Sequence, residues 1–91
     1  MYNYEIQPLL QKILNKLLRK DKALYEQVMK KIEEIINTGD VEHYKNLRYN
    51  LKDYKRVHVG SFVLVFKFDK GFNLIIFEDF DHHDNIYKWN I

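Results

Sequence analysis

Between Tyr54 and Phe66 the chain reads YKRVHVGSFVLVF, and apolar and polar positions alternate with the period of two expected of a half-buried strand. Val57 and Val59 alternate with Arg56 and His58. Gly60-Ser61 is a Gly-first dipeptide, which suits a two-residue type II′ hairpin turn. That turn predicts the register: Val59 opposite Phe62, His58 opposite Val63, Val57 opposite Leu64 and Arg56 opposite Val65. Opposite residues share a face. One face therefore carries Val57, Val59, Phe62, Leu64 and Phe66, a core surface. The other carries Arg56, His58, Val63 and Val65, a cationic surface on a rigid floor.

Upstream the period changes to that of helices. Leu9, Leu10, Ile13, Leu14, Leu17 and Leu18 recur at helical spacing behind Pro8, which suits a first helical position. Arg19 and Lys20 complement the dipole at the helix end. Asp21 reads as the N-cap of a second helix, with Tyr25, Val28, Met29, Ile32, Ile35 and Ile36 as its apolar stripe. Asn37-Thr38-Gly39 ends it, with Gly39 a candidate left-handed cap. The short break between the helices predicts an antiparallel hairpin. Tyr2 to Ile6 alternates weakly, as an edge strand or as a disordered terminus. From Asp40 to Asp53 the chain is polar, with Tyr44, Leu47, Tyr49 and Leu51 as scattered anchors. Asp69-Lys70-Gly71 turns the chain into a third strand, Phe72 to Phe80. Its Leu74–Phe77 stretch is apolar on both faces, as in a central strand. The tail from His82 shows no clear period.

A possible strand, two helices and three antiparallel strands make an α+β domain. The helical hairpin packs on one face of a small antiparallel sheet, and the face with Arg56 and His58 is left for a partner. Its 91 residues support a single domain spanning 1–91, with one core.

Composition narrows the function classes. With 46% hydrophobic residues the chain is globular rather than disordered. No apolar run approaches membrane-spanning length, and the first residues do not resemble a signal peptide. The absence of cysteine excludes disulfides, thiolate metal sites and thiol catalysis, and fits a cytoplasmic protein. The net charge is only +2, but its distribution is uneven. Lys45, Arg48, Lys52, Lys55 and Arg56 stand against Asp53 alone; Asp69, Glu78, Asp79, Asp81 and Asp84 stand against Lys70 alone. The basic strip is either a phosphate-binding surface or a solvated loop.

His82-His83-Asp84 follows a run of acidic residues, and a carboxylate–imidazole cluster can hold a divalent ion. Asp81-His82-His83 also spells the DHH signature of a phosphoesterase family, whose further Asp motifs and greater length are absent. Adjacent histidines on a strand point to opposite faces, so no metal site is expected.

Arg56-Val57-His58-Val59-Gly60, the aromatic and apolar strand Phe62 to Phe66, the segment Asn46-Leu47-Arg48 before them and His82-His83-Asp84-Asn85-Ile86-Tyr87 after them occur in one order. In that order the chain resembles the RelE/ParE superfamily, the toxins of type II toxin–antitoxin modules. The resemblance covers nearly the whole chain. It implies a helical hairpin on a curved sheet whose other face is a cationic groove, a fold shared with microbial RNases. RelE-like members cut mRNA in the ribosomal A site, using the RNA's own 2′-hydroxyl and no metal or cofactor. ParE-like members share the fold and inhibit DNA gyrase.

Carried over by position, the resemblance assigns catalysis to Arg56, His58, His83 and Tyr87, and RNA phosphate binding to Lys45, Arg48, Lys52 and Lys55. It implies a cognate antitoxin, the ribosome and mRNA as partners, with operator DNA reached only through the antitoxin. One position departs from the family pattern: Val63 fills the usual arginine slot, and the predicted register puts it on the groove floor. Three alternatives stay open: a gyrase inhibitor, a catalytically weak antitoxin-binding corepressor, and an unrelated basic binding domain.

Overall fold

The computed structural model describes residues 1–48 and 51–88. The anchor expected at Tyr49 lies outside the described residues. The elements in order are β1 (Asn3–Ile6), α1 (Pro8–Lys20), α2 (Lys22–Ile36), a 3₁₀ turn at Val41–His43, β2 (Tyr54–Val59), β3 (Phe62–Asp69), a 3₁₀ turn at Lys70–Phe72, β4 (Leu74–His82) and α3 (His83–Tyr87).

Local chemistry accounts for most of these boundaries. Pro8 opens α1, where its missing N–H costs nothing. Asp21 separates the helices and caps α2, its Oδ1 accepting from the Leu24 N–H at 3.2 Å. The expected left-handed cap at Gly39 is not formed, since Gly60 is the glycine with positive φ among the described residues. Asn37 closes α2 instead, its side-chain Nδ2 donating to the Glu33 carbonyl at 2.9 Å. Gly60 has φ of 60° while Ser61 is not left-handed, as a type II′ turn requires. The resulting register pairs Val59 with Phe62, His58 with Val63, Val57 with Leu64 and Arg56 with Val65, as the turn predicts. The next turn is set differently: Asn73 takes the left-handed conformation rather than Gly71, and β4 starts at Leu74 rather than Phe72.

The sheet order is β1-β4-β3-β2. The weakly alternating N-terminal segment is a true edge strand, and it runs parallel to β4, so the sheet is mixed rather than wholly antiparallel. Strand β4 is thereby enclosed between β1 and β3, which accounts for its apolar centre. A bulge interrupts β4. Val65 pairs with Asp79 but Phe66 pairs with Phe77, so Glu78 is the extra residue. Phe80 consequently joins Phe77 and Ile75 in the core beneath the helices. Asp79 and Asp81 turn to the opposite face. Unbroken alternation would have done the reverse and buried a carboxylate under α1 and α2.

The main core joins Leu10 and Leu14 of α1 and Val28, Ile32 and Ile35 of α2 to Leu64, Phe66, Ile75 and Phe77 of the sheet. Leu9 and Leu18, also part of the apolar pattern, flank this stripe and are exposed. The other face is not left open. Leu47, Val63, Val65 and Ile86 form a second buried cluster, with Leu51, Tyr54 and Tyr87 packed against it. The expectation of an uncovered cationic floor is therefore corrected: Val63 pairs with His58 as predicted but has no exposed surface.

Candidate active site

Three elements converge over the second cluster. β2 contributes Arg56 and His58, the segment after the first 3₁₀ turn contributes Asn46, Leu47 and Arg48, and α3 contributes His83 and Tyr87. The aperiodic tail becomes a helical turn because His82 caps it, its Nδ1 accepting from the Asp84 N–H at 3.3 Å. The His83 N–H donates to the Ser61 carbonyl at 3.0 Å, tying the start of α3 to the hairpin turn. Ile86 is fully buried and holds the turn down. The spacing of four residues then puts His83 and Tyr87 on one side, ring centroids 6.3 Å apart.

Tyr87 meets β2 directly. Its hydroxyl lies 3.3 Å from His58 Nε2. Arg56 Nη1 lies 3.4 Å from the same nitrogen, and its guanidinium sits 5.8 Å from the Tyr87 ring centroid. A guanidinium only donates, so the pairing with Arg56 makes this His58 nitrogen the acceptor and places the ring proton on Nδ1. Asn46, Leu47, Arg48, Arg56 and Tyr87 line a notch of about 280 Å³. Two arginines and a phenol thus border one opening wide enough for a phosphate or a base, and the His58 imidazole meets that phenol's hydroxyl.

The basic strip divides. Arg48 borders the notch, and Lys45 and Lys52 are exposed near it. Lys55 belongs elsewhere. It alternates with Arg56 onto the other side of β2 and is only 8% exposed. Its ammonium donates to the Glu42 and Tyr44 carbonyls at 3.3 and 3.1 Å and to Asn46 Oδ1 at 2.9 Å. The expected phosphate contact from Lys55 is replaced by a structural one. Together with Arg56 N–H donating to the Lys45 carbonyl and Leu47 N–H to the Tyr54 carbonyl, Lys55 fastens this segment along the edge of β2. The positional signal for this role was the period-2 pattern itself, which separates Lys55 from Arg56.

Asp79 and Asp81 share the notch's face of the sheet, two strands away from β2. Through the β2–β3–β4 register, Arg56 aligns with Val65 and Asp79, and His58 with Val63 and Asp81. Burial pushes the Asp79 carboxyl above the ordinary carboxylate range; the Phe80 N–H opposes this and the charge on Asp81 adds to it. Asp81 accepts from the His82 N–H and from Asn85 Nδ2.

The two histidines of the tail are not on opposite faces, because β4 ends at His82 and α3 begins at His83. Their ring centroids lie 4.5 Å apart with the planes tilted by 32°. Ligand atoms of His82, His83 and Asp84 all lie within 4.8 Å of one another. The sequence-based argument against a metal cluster therefore loses its geometric premise. Among the described residues no helix is long and apolar enough to cross a membrane.

No family model matches the chain. It is 56% identical over 89 residues to the Methanocaldococcus jannaschii protein named "Putative toxin RelE4", covering 97% of this chain and 93% of that one. An uncharacterized protein of Methanosarcina mazei is 39% identical over 88 residues, covering 96% and 100%. Among solved structures, Escherichia coli YafQ superposes with a TM-score of 0.73 at 17% identity, covering 96% of this chain and 99% of that one. The toxin in the intact E. coli RelBE toxin–antitoxin complex gives 0.71 at 18%, covering 90% and 96%. A metal-bound toxin from Helicobacter pylori gives 0.73 at 21%, covering 94% and 99%. The fold is that of small toxins from toxin–antitoxin systems. By its identity to the M. jannaschii relative, the chain belongs to the RelE family of these toxins.

Proposed function

We propose that the chain is an mRNA endonuclease acting on the ribosome, cutting by attack of the RNA's 2′-hydroxyl on the adjacent phosphate. The observation that carries this reading is Tyr87 hydroxyl held 3.3 Å from His58 Nε2, with Arg56 on the same nitrogen and His83 one ring away. Gyrase inhibition requires no such proton-carrying set.

In the proposed step, His58, directly or through Tyr87, takes the 2′-hydroxyl proton as the 2′-oxygen bonds to phosphorus. Arg56 balances the charge that builds on the phosphoryl oxygens. The bond from phosphorus to the 5′-oxygen breaks, and protonated His83 delivers its proton to that oxygen. The products are a 2′,3′-cyclic phosphate and a 5′-hydroxyl. An imidazole exchanges protons near neutral pH, and each such transfer contributes about 10²–10⁴-fold in rate. Arg48, Lys45 and Lys52 hold flanking phosphates, and Tyr87 also offers a face for base stacking. A cognate antitoxin, acidic where it meets Arg56 and His58, is the partner that keeps the site closed; the solved relatives in complex with antitoxins support this part.

A second reading is favoured by one observation. Val63 stands in the usual arginine slot and is buried in the second cluster, so a phosphate clamp is missing there. On that reading the chain inhibits gyrase or serves mainly as a corepressor. Adding the purified chain to a translation extract and sequencing RNA ends decides between them. The nuclease reading expects new 5′-hydroxyl ends inside ribosome-bound messages. Intact mRNA together with loss of gyrase supercoiling would replace it with the second reading.

A further inference from the structure

We propose that His82, His83 and Asp84 form a binding site for a borderline divalent transition metal such as zinc, and that the ion silences cleavage by occupying His83. The second half of this inference rests on the nuclease reading; the first does not.

The geometry is specific to the strand-to-helix junction. His83 Nδ1 lies 2.9 Å from Asp84 Oδ1, and His82 Nδ1 lies 3.6 Å from Asp84 Oδ2. Bonds of 2.0–2.1 Å at a tetrahedral ion place neighbouring donors about 3.3 Å apart. The two spacings bracket that value, and all three donors already fall within 4.8 Å. One carboxylate and two imidazoles suit zinc, copper or nickel, whereas magnesium and calcium prefer all-oxygen shells. Side-chain exposures of 40%, 43% and 70% let an ion enter and leave water in the remaining positions.

The ion meets little opposition. Asp84 already faces both rings. If the ion takes His82 Nδ1, the bond displaced is the 3.3 Å cap from the Asp84 N–H. The start of α3 stays anchored by the His83 N–H on the Ser61 carbonyl. Metal binding requires unprotonated imidazole, so affinity falls as the solution becomes acidic. An imidazole bonded to a metal through Nδ1 cannot become the imidazolium and keeps only a very weakly acidic Nε2–H, which removes the proposed general acid while Arg56, His58 and Tyr87 stay in place.

Titration calorimetry of the full chain with zinc chloride, in chelator-free buffer, tests the site without reference to activity. The expected result is one ion per chain with micromolar affinity. His82→Asn keeps an N-cap oxygen and removes one imidazole. It is expected to weaken binding by about tenfold or more, since even outer-shell losses cost that much, and to leave the melting temperature and zinc-free cleavage unchanged. Zinc should then halt cleavage by the parent and not by His82→Asn. Absence of zinc binding, or equal affinity in His82→Asn, overturns the site. Tight binding at the site with undiminished cleavage overturns the silencing. Binding lost in His82→Asn by a parent that cuts no mRNA even without zinc upholds the site and defeats the nuclease reading.

Discussion

The two faces of the sheet use the same strands for different ends. Under α1 and α2, thirteen of the described residues are buried in one continuous cluster joining both helices to the sheet. On the other face four buried residues among those described support a short segment and one helical turn. The larger face supplies most of the stability. The smaller face holds Leu47 and Ile86 well enough to bring residues from opposite ends of the second half of the chain to one opening. A site built this way is rigid at its floor, where Val63 and Val65 are paired within the sheet, and adjustable at its rim.

That contrast can be broken at several points. Phe66 is fully buried where both helices meet the sheet, touching Phe77 and Tyr44. Phe66→Ala is expected to cost about 3–5 kcal/mol, a large share of a small domain's stability, and chemical denaturation should show it as a lower midpoint. Val63→Arg tests the smaller face. An exposed groove floor would accept the long side chain; a buried position pays for overpacking and an unpaired charge, about 2–4 kcal/mol. A melting temperature equal to the parent's would show that the second cluster is not a core. Lys55→Met leaves the Glu42 and Tyr44 carbonyls without their ammonium donor. The expected loss is about 1–3 kcal/mol, with faster hydrogen exchange at Leu47 and Arg56, whose amides tie the segment to β2. A reduction in RNA affinity with no change in stability would return Lys55 to the phosphate-binding set.

The smallest effect concerns pH. Because burial raises the Asp79 pKa in the folded chain above its unfolded value, the folded state binds more protons in the window just above the ordinary carboxylate value of 3.8. Stability from this group is present in acid and is lost as pH rises through the folded pKa. Asp79→Asn should therefore be more stable than the parent at neutral pH, and the advantage should shrink as the solution is acidified towards the unfolded carboxylate range. Thermal melts of both proteins across that range check the sign; an advantage that grows in acid contradicts the burial account.

Much of this organisation was legible in the residues. Gly60-Ser61 fixed the hairpin register, Asp21 fixed the junction between the helices, and alternation separated Arg56 and His58 from Val57 and Val59. The parts that were not legible depend on contacts between distant segments. Glu78 carries no local mark of a bulge, since an extra residue is visible only when β4 is laid against β3. The second cluster was hidden because Leu47 and Ile86 are isolated apolar residues in polar surroundings, and neither has a period. Charge counting groups Lys55 with its basic neighbours because it ignores which side of a strand a residue faces. The tail defeated the metal argument for a related reason: the rule for adjacent side chains on a strand stops applying where the strand stops, between His82 and His83. Resemblance alone singles out Arg56, His58, His83 and Tyr87. The structure adds that β2 and α3 bring Arg56, His58 and His83 each beside the Tyr87 side chain.

The central claim is that His83 and Tyr87 move protons rather than merely pack. The most direct measurement is the single-turnover rate of cleavage of ribosome-bound mRNA by the parent, His83→Ala and Tyr87→Phe, each with a melting curve and each in zinc-free buffer. The account predicts that both variants melt like the parent and cleave about 10²–10⁴-fold more slowly, the span of a lost proton-transfer group. Folded variants that cut at the parent's rate would contradict it.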